Sequence, residues 1–343
     1  MGTKTLQKKL AWGAVYGLVH FSVEVASFYF LFSRLSGSPL WWVLGLLFDA
    51  LAFLTQGFFG ILTDRYPKLN IGLIGGVMMV SALLLPWNVP GLIFLSLGNA
   101  MIHISGAQHT LRQTGGKITP NAIFVGAGSF GVITGQLLGK VSDPRLLVLP
   151  VVLMLLSLGA MHLSHQKDKL ENTYSTFRIS ADKSLGLIAI LALISVIVRG
   201  YAAYAIPTEW NKTVSQAIAL FVCMGIGKTM GGVLCDKIGY RRVSIISLLG
   251  GLPFLLFGNE MMALSLIGVA LFSMTMPVTV AILASAFPKR PGFAFGLTTV
   301  GLFLGSAPAF FIRPQSLLAH QVLVIVLTAI ALPAILICIK RGR

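Results

Sequence analysis

Long apolar stretches alternate with short polar or Gly/Pro-rich breaks along the whole chain. Twelve apolar runs can be marked, at 10–32, 40–63, 70–88, 91–110, 121–139, 146–165, 184–206, 214–235, 243–259, 261–286, 292–312 and 317–339. A helix that crosses a bilayer needs about 20 consecutive apolar residues, so the pattern predicts an all-α integral membrane protein with twelve transmembrane helices. The widest interruption is 166–183, with seven charges in eighteen residues. It separates six runs from six and predicts an N-terminal six-helix bundle (1–165), a cytoplasmic linker (166–183) and a C-terminal six-helix bundle (184–343).

Composition narrows the classes further. The 343 residues are 56% hydrophobic and only 10% charged, with a mean hydropathy of +0.87. Soluble domains are about one-quarter charged, and twelve spans leave no room for a soluble catalytic module. The three cysteines (Cys223, Cys235 and Cys338) lie in or beside apolar runs without pairing or metal-type spacing and read as reduced core residues. No cofactor and no metal site is expected. Residues 1–9 are polar and basic and lead into a run long enough to span, so no cleaved signal peptide is expected.

The net charge of +16 raises the question of nucleic acid. An even number of spans puts both termini on one side, and the loops of that side carry nineteen Lys and Arg against five opposite. This asymmetry predicts both termini in the cytoplasm of an inner or plasma membrane. The basic residues are dispersed over seven short segments, which fits topology and attraction to anionic lipid rather than nucleic-acid binding.

An internal repeat is visible. Gly60-Ile-Leu-Thr-Asp64-Arg65 closes the second run and Gly232-Val-Leu-Cys-Asp236-Lys237-Ile-Gly-Tyr-Arg241-Arg242 closes the eighth. The two Asp residues are 172 positions apart, half the chain, and Gly131 and Gly135 precede Gly301 and Gly305 by 170. Two echoes at offsets within two residues of each other argue for a duplicated six-helix unit, an architecture of transporters. Here the sequence resembles the major facilitator superfamily over essentially its whole length, through the Gly-x-x-x-Asp-Arg/Lys-x-Gly-x-Arg-Arg loop. The first copy departs from it, with Pro67 where Gly is usual and Leu69 where a basic residue is common. Physically, the Gly permits close helix approach. The Asp accepts hydrogen bonds from the first turn of a neighbouring helix, and the adjacent cations offer ion pairs. Gly60, Asp64, Arg65, Gly232, Asp236, Lys237, Arg241 and Arg242 are therefore the expected gating latch, with packing and topology as the alternative role. A narrower likeness joins His20-Phe-Ser-Val-Glu24, Gly98-Asn99-Ala-Met-Ile-His103 and Phe124-Val-Gly126-Ala-Gly128-Ser-Phe-Gly131 to the fosmidomycin-resistance-like branch, which implies proton-coupled efflux. Gly135-Gln136 replaces the Gly-Pro of the superfamily's antiporter motif.

Ionisable residues inside spans cost at least about 2.5 kcal/mol each at the bilayer centre, so each requires a role. Tyr16, His20, Glu24 and Ser27 share one face of the first span, and Ser96, Asn99, His103, Gly106 and Thr110 one face of the fourth. Asp49 and Gln56 share a face of the second, Arg199 lies in the seventh, Lys228 in the eighth and Pro277 in the tenth. The resemblance implies a central cavity lined by spans one, four, seven and ten. His20, Glu24, Asp49, Asn99, His103, Arg199 and Lys228 are the candidate substrate- and proton-binding residues. Glu24 and His20 suit proton carriage, and Arg199 and Lys228 suit an anionic or zwitterionic solute. The alternative is static pairing of Glu24 or Asp49 with Arg199 or Lys228.

The expected function is secondary active transport of a small organic solute, with protons, membrane lipid and the solute as partners and a monomer as the working form. Proton-coupled efflux is the first reading, import or facilitated movement of an organic anion the second, and a non-transporting scaffold or sensor the third. The chain has no His-Glu-x-x-His, no Gly-x-Ser-x-Gly and no carboxylate pair on one helix face, so an intramembrane enzyme is not expected. Brief connections such as Asn88-Val-Pro90 and Gly258-Asn259-Glu260 cannot form lids. Gating would come from helices rocking, with Pro277, Gly305 and Pro308 as bends.

Overall fold

The computed structural model describes residues 3–112, 115–141, 143–168, 175–206 and 209–340; for 3–9 and 165–168 only the backbone is described. Eleven helices are long and apolar enough to cross a membrane, which makes the chain an integral membrane protein. In order they are α1 (Leu10–Leu35), α2 (Trp41–Arg65), α4 (Asn88–Arg112), α5 (Thr119–Lys140), α6 (Pro144–Ser164), α7 (Leu185–Ala205), α8 (Val214–Ile238), α9 (Tyr240–Phe257), α10 (Met262–Ala286), α11 (Pro291–Phe310) and α12 (Leu317–Cys338). Between α2 and α4 lies α3 (Ile71–Leu84), a shorter apolar helix of 14 residues.

The third run was expected to continue to residue 88. It stops early because Pro86 disfavours the helical conformation of the residue before it, and Leu85 is extended (φ −65, ψ 137). At 1.5 Å per residue α3 covers about 21 Å, short of a hydrocarbon core of about 30 Å. Its end would strand carbonyls in an apolar setting. Arg34, at the end of α1, answers this: its guanidinium donates to Leu83 O and Leu85 O, each at 2.5 Å. The segment 88–90, expected to be a loop, is instead the first turn of α4, where proline lacks no needed donor.

Packing follows the repeat read from the sequence. α1 lies along α5, and α7 lies along α11. In the first pair a Cβ added to Gly131 or Gly135 would strike the Phe21 or Val25 carbonyl. In the second, one added to Gly305 would strike the Ile197 carbonyl. Across the two halves of the chain, α5 packs on α8 and α2 on α11. The bends differ in detail from expectation. In α10 the helix breaks at Met274, between segments Met262–Ser273 and Thr275–Ala286, three residues before Pro277. In α11 the last turn tightens at Ala307–Phe310, next to Gly305 and around Pro308.

Part of the proposed linker is structured. The α6 helix runs on to Asp168, and 169–174 lie outside the described residues. From 175 the chain is extended, with Ser175, Phe177 and Ile179 buried and Thr176 and Arg178 exposed, the alternation of a half-buried strand. Ser175 N donates to Pro288 O at 2.7 Å, Ala181 N to Cys338 O at 2.8 Å and Lys340 N to Ile179 O at 3.0 Å. Ile179 N and Ser180 N both donate to Ser285 Oγ. The segment is thus strapped to the ends of α10 and α12. Cys235 and Cys338 are buried and Cys223 half-buried, and all three are free thiols.

The helix contacts carry a direct test. Gly135→Val forces a branched side chain into the α1 backbone, where overpacking costs about 1–3 kcal/mol. Gly159, whose added Cβ would meet open space, is the matched control. Thermal unfolding in detergent should show a clear fall in the midpoint for Gly135→Val and none for Gly159→Val.

Candidate functional site

α1 and α4 bring three ionisable side chains together. His20, Glu24 and His103 are buried. His20 Nε2 and His103 Nε2 lie 2.7 Å apart, and Glu24 Oε1 is 3.4 Å from the first and 3.1 Å from the second. The other ring nitrogens face main-chain carbonyls: His20 Nδ1 is 2.8 Å from Phe124 O and His103 Nδ1 is 2.9 Å from Asn99 O. A carbonyl only accepts, so both Nδ1 atoms carry hydrogen and donate. In the neutral rings both Nε2 atoms are then bare acceptors. With the Glu24 carboxylate, three lone pairs converge on one small volume. The arrangement needs a positive particle among them.

The surroundings fix this geometry. The Phe124 ring lies 4.8 Å from the His20 ring, and a Cβ at Gly128 would collide with His20 Nε2, so only glycine admits the imidazole there. Asn99 Nδ2 donates to Ser27 Oγ at 3.0 Å. Asn99 therefore clamps α4 to α1 and orients His103 through its carbonyl; its side chain is not directed at the cluster. Tyr16 Oη and Ser164 Oγ, 2.5 Å apart, join α1 to α6 on the same side.

The second half supplies cations. Arg199 and Lys228 are half-buried. Arg199 Nη1 donates to Thr279 Oγ1 at 3.0 Å, and Lys228 Nζ to Ser129 Oγ at 2.9 Å, which carries it across to α5 beside Gly128. The two cations are in Coulombic reach of each other, and Lys228 also of Glu24. Static carboxylate pairing, one of the expectations, is not what the structure places here: among the described residues no carboxylate comes within ion-pair distance of Arg199 or Lys228. Asp49 is buried just before a widened π turn at Ala50–Leu54. It forms no hydrogen bond or ion pair among the described residues and lies in Coulombic reach of Glu24 and Tyr204. Tyr204 was not singled out from sequence; Thr279 was noted with Pro277 in the tenth span, and Phe124 and Ser129 lay in the quoted Phe124–Gly131 segment, without a role of their own. Only the Phe124 segment carried a signal, through the glycines around it.

At the Lys/Arg-rich end two carboxylates bridge the halves. Asp64, closing α2, accepts from Gly292 N at 3.1 Å and Phe293 N at 2.8 Å, the first turn of α11. Asp236, near the end of α8, accepts from Ile118 N at 3.0 Å and Thr119 N at 2.9 Å, the start of α5, and from Thr119 Oγ1 at 2.5 Å. A Cβ at Gly60 would collide with Gly292 O, and one at Gly232 with the Ala122 Cβ. The expected cations are mostly elsewhere. Asp64 meets Gln108 Nε2 at 2.8 Å and Arg112 Nη2 at 3.7 Å, whereas the exposed Arg65 stacks on Tyr66. Arg241 donates to Leu336 O at 3.4 Å, and Lys237 and Arg242 are exposed. Exposed cations gain more from water than from a helix end already neutralised by the carboxylate.

By sequence the chain matches no family model and no curated protein. Its fold is shared with solved transporters of the major facilitator superfamily. The human organic anion transporter MFSD10 (TETRAN) matches with a TM-score of 0.68 at 14% identity, over 98% of this chain and 100% of that one. The E. coli fucose:proton symporter FucP matches at 0.61 and 12%, over 96% and 99%. A bacterial homologue of the iron transporter ferroportin, in an outward-facing state, matches at 0.55 and 14%, over 96% and 98%.

Each capping carboxylate protects amides of the opposite half. Hydrogen bonds to a charged group are worth about 1.5–3 kcal/mol, so Asp236→Ala should speed amide exchange of 118–122 by at least about tenfold while sparing 292–296. Asp64→Ala should do the reverse. Hydrogen–deuterium exchange of the purified protein reads both, and unchanged exchange at the matching segment contradicts the capping role.

Proposed function

We propose that this chain is a secondary active transporter of the major facilitator type. In this reading 1–165 and 184–343 form two pseudo-symmetric six-helix bundles, with α3 as a short member of the first and both termini cytoplasmic. A monomer moves a small anionic or zwitterionic organic solute across the cytoplasmic membrane by alternating access, in proton-coupled efflux. The observation that carries the reading is the division of charge inside the membrane. A cluster of three converging acceptors sits on α1 and α4 of one half, and two cations with no carboxylate partner among the described residues sit on α7 and α8 of the other.

The chemistry follows from that division. A proton held between two of the acceptors of His20, Glu24 and His103 gives that pair a donor and offsets the carboxylate charge. Asp49 and Tyr204 lie near it, Lys228 is in Coulombic reach of Glu24 from the second half, and Arg199 is in reach of Lys228. Arg199 and Lys228 take the anionic part of the solute, since guanidinium and ammonium groups held by a single hydroxyl each retain free donors. The caps of Asp64 and Asp236 hold the Lys/Arg-rich end shut, so opening to that side must break both. The Gly135-Gln136 departure favours import of an organic anion as the second reading, because the superfamily's antiporters carry Gly-Pro there.

A thermal-shift panel of small organic anions, zwitterions and cations on the purified protein finds the solute class, since binding to the folded state raises the midpoint. Carboxylate- or phosphate-bearing compounds should stabilise the wild type and lose at least about tenfold in apparent affinity (~1.4 kcal/mol) in Arg199→Gln. For a compound so found, Glu24→Gln should abolish pH-gradient-driven movement in proteoliposomes. Stabilisation by cations alone, or gradient-driven transport unchanged in Glu24→Gln, contradicts the reading.

A further inference from the structure

We infer that His20, Glu24 and His103 form a binding site for a divalent first-row transition-metal ion. Geometry at the cluster separates a metal from a lone proton. A proton lies on one line between two atoms, but here three acceptors form a near-equilateral triangle with sides of 2.7, 3.1 and 3.4 Å. The centre of such a triangle is roughly 1.8 Å from each corner, so an ion about 1 Å out of the plane reaches all three at the about 2.0–2.2 Å of nitrogen and carboxylate ligands. Ring placement agrees. The imidazole centroids are only 4.3 Å apart, with planes at 78°. With both rings aligned along a straight N–H···N bond of 2.7 Å the centroids would lie farther apart, so the two Nε2 lone pairs are not both directed along the line between the nitrogens. The three ligand atoms lie within 4.8 Å of one another.

The outer contacts fit the same role. Metal-bound histidines donate their second N–H to a carbonyl or carboxylate, which fixes the tautomer and the ring. Both imidazoles do so, to Phe124 O and Asn99 O. Asn99 is itself tied to Ser27, and Gly128 leaves room for His20. Two imidazoles and one carboxylate suit Zn²⁺, Co²⁺, Ni²⁺ or Fe²⁺ rather than Mg²⁺ or Ca²⁺, which prefer all-oxygen sets. Three protein ligands leave a position open for an outside donor.

One consequence rests on the transporter reading above. The metal and the proton use the same lone pairs, so they exclude one another and would travel on opposite legs of the cycle. Arg199 and Lys228, in the same region, oppose a bare dication. An anionic group of the solute that meets them and fills the open metal position removes that opposition, which makes a metal–organic-anion complex the substrate class.

The test uses Co²⁺ chloride on the purified full-length chain in detergent. Its visible absorption should grow to saturation at one equivalent, with proton release, and be displaced by Zn²⁺. His20→Gln, Glu24→Gln and His103→Gln should each weaken binding at least about 100-fold (~2.7 kcal/mol), whereas His109→Gln, at a position on α4 against the Trp12 and Tyr16 rings outside the cluster, should bind as wild type. His103→Cys should add a thiolate-to-Co²⁺ charge-transfer band, a signature that a packing role cannot produce. No saturable Co²⁺ spectrum in the wild type, or a spectrum indifferent to the three substitutions, overturns the metal site even where gradient-driven transport persists. A Co²⁺ site in a chain that moves no solute supports the site and removes the transport reading instead.

Discussion

Two carboxylates, each near the end of a helix in one half of the chain, complete the first turn of a helix in the other. Asp64 does this for α11 and Asp236 for α5. A helix start exposes amides with no partner inside the helix and a partial positive charge. The carboxylate supplies acceptor and counter-charge together, at a junction where Gly60 and Gly232 let the backbones approach. The pairs are reciprocal, so neither half can tilt away from the other at this end without breaking a charged cap. Closely packed contacts between α2 and α11 and between α5 and α8 continue the seam into the membrane, where Thr299 Oγ1 donates to Phe53 O at 3.2 Å and Lys228 reaches Ser129.

That seam passes beside the buried ionisable groups. Each charged group in a membrane interior is costly, and the chain distributes the cost unevenly. Negative and imidazole groups converge on α1, α2 and α4, while the positive groups sit on α7 and α8 and are bound to hydroxyls rather than to carboxylates. Like fully satisfied pairs, hydroxyl contacts keep the cations oriented. Unlike pairs, they leave most of each cation's donors open for something that enters. Phe124, Gly128 and Asn99 fix the orientation of the imidazoles, whereas Arg199 and Lys228 each hold one hydroxyl contact.

Much of this was legible from residue order. The spacing of apolar runs located eleven membrane helices, and the 172-residue offset between Asp64 and Asp236 anticipated which carboxylates would occupy equivalent positions. Gly131, Gly135, Gly301 and Gly305 marked the α1–α5 and α7–α11 contacts because close backbone approach leaves a sequence trace. The early end of α3 was equally available in Pro86 but was outweighed by the apolar run around it. Other features depend on partners distant in sequence. Arg112 rather than Arg65 faces Asp64, since it is the neighbouring helix that decides which cation is near. The tautomers of His20 and His103 depend on the carbonyls of Phe124 and Asn99, and main-chain atoms have no signature in a sequence. Helical spacing put His20 and Glu24 on one face, but nothing in it told that His103 would close the triangle. The strap at 175–183 was masked by its charges, although the alternation of Ser175, Phe177 and Ile179 held the cue.

If the two carboxylate caps keep the halves together at the Lys/Arg-rich end, releasing them lets the halves rock. Pulsed electron resonance on a cysteine-replaced chain in lipid, with labels at Leu69 and Arg290 or at Ser36 and Lys212, measures both ends. Asp64→Ala combined with Asp236→Ala should lengthen the first distance and shorten the second. Distance distributions that stay the same at both ends, in a double variant that remains folded, would contradict the account.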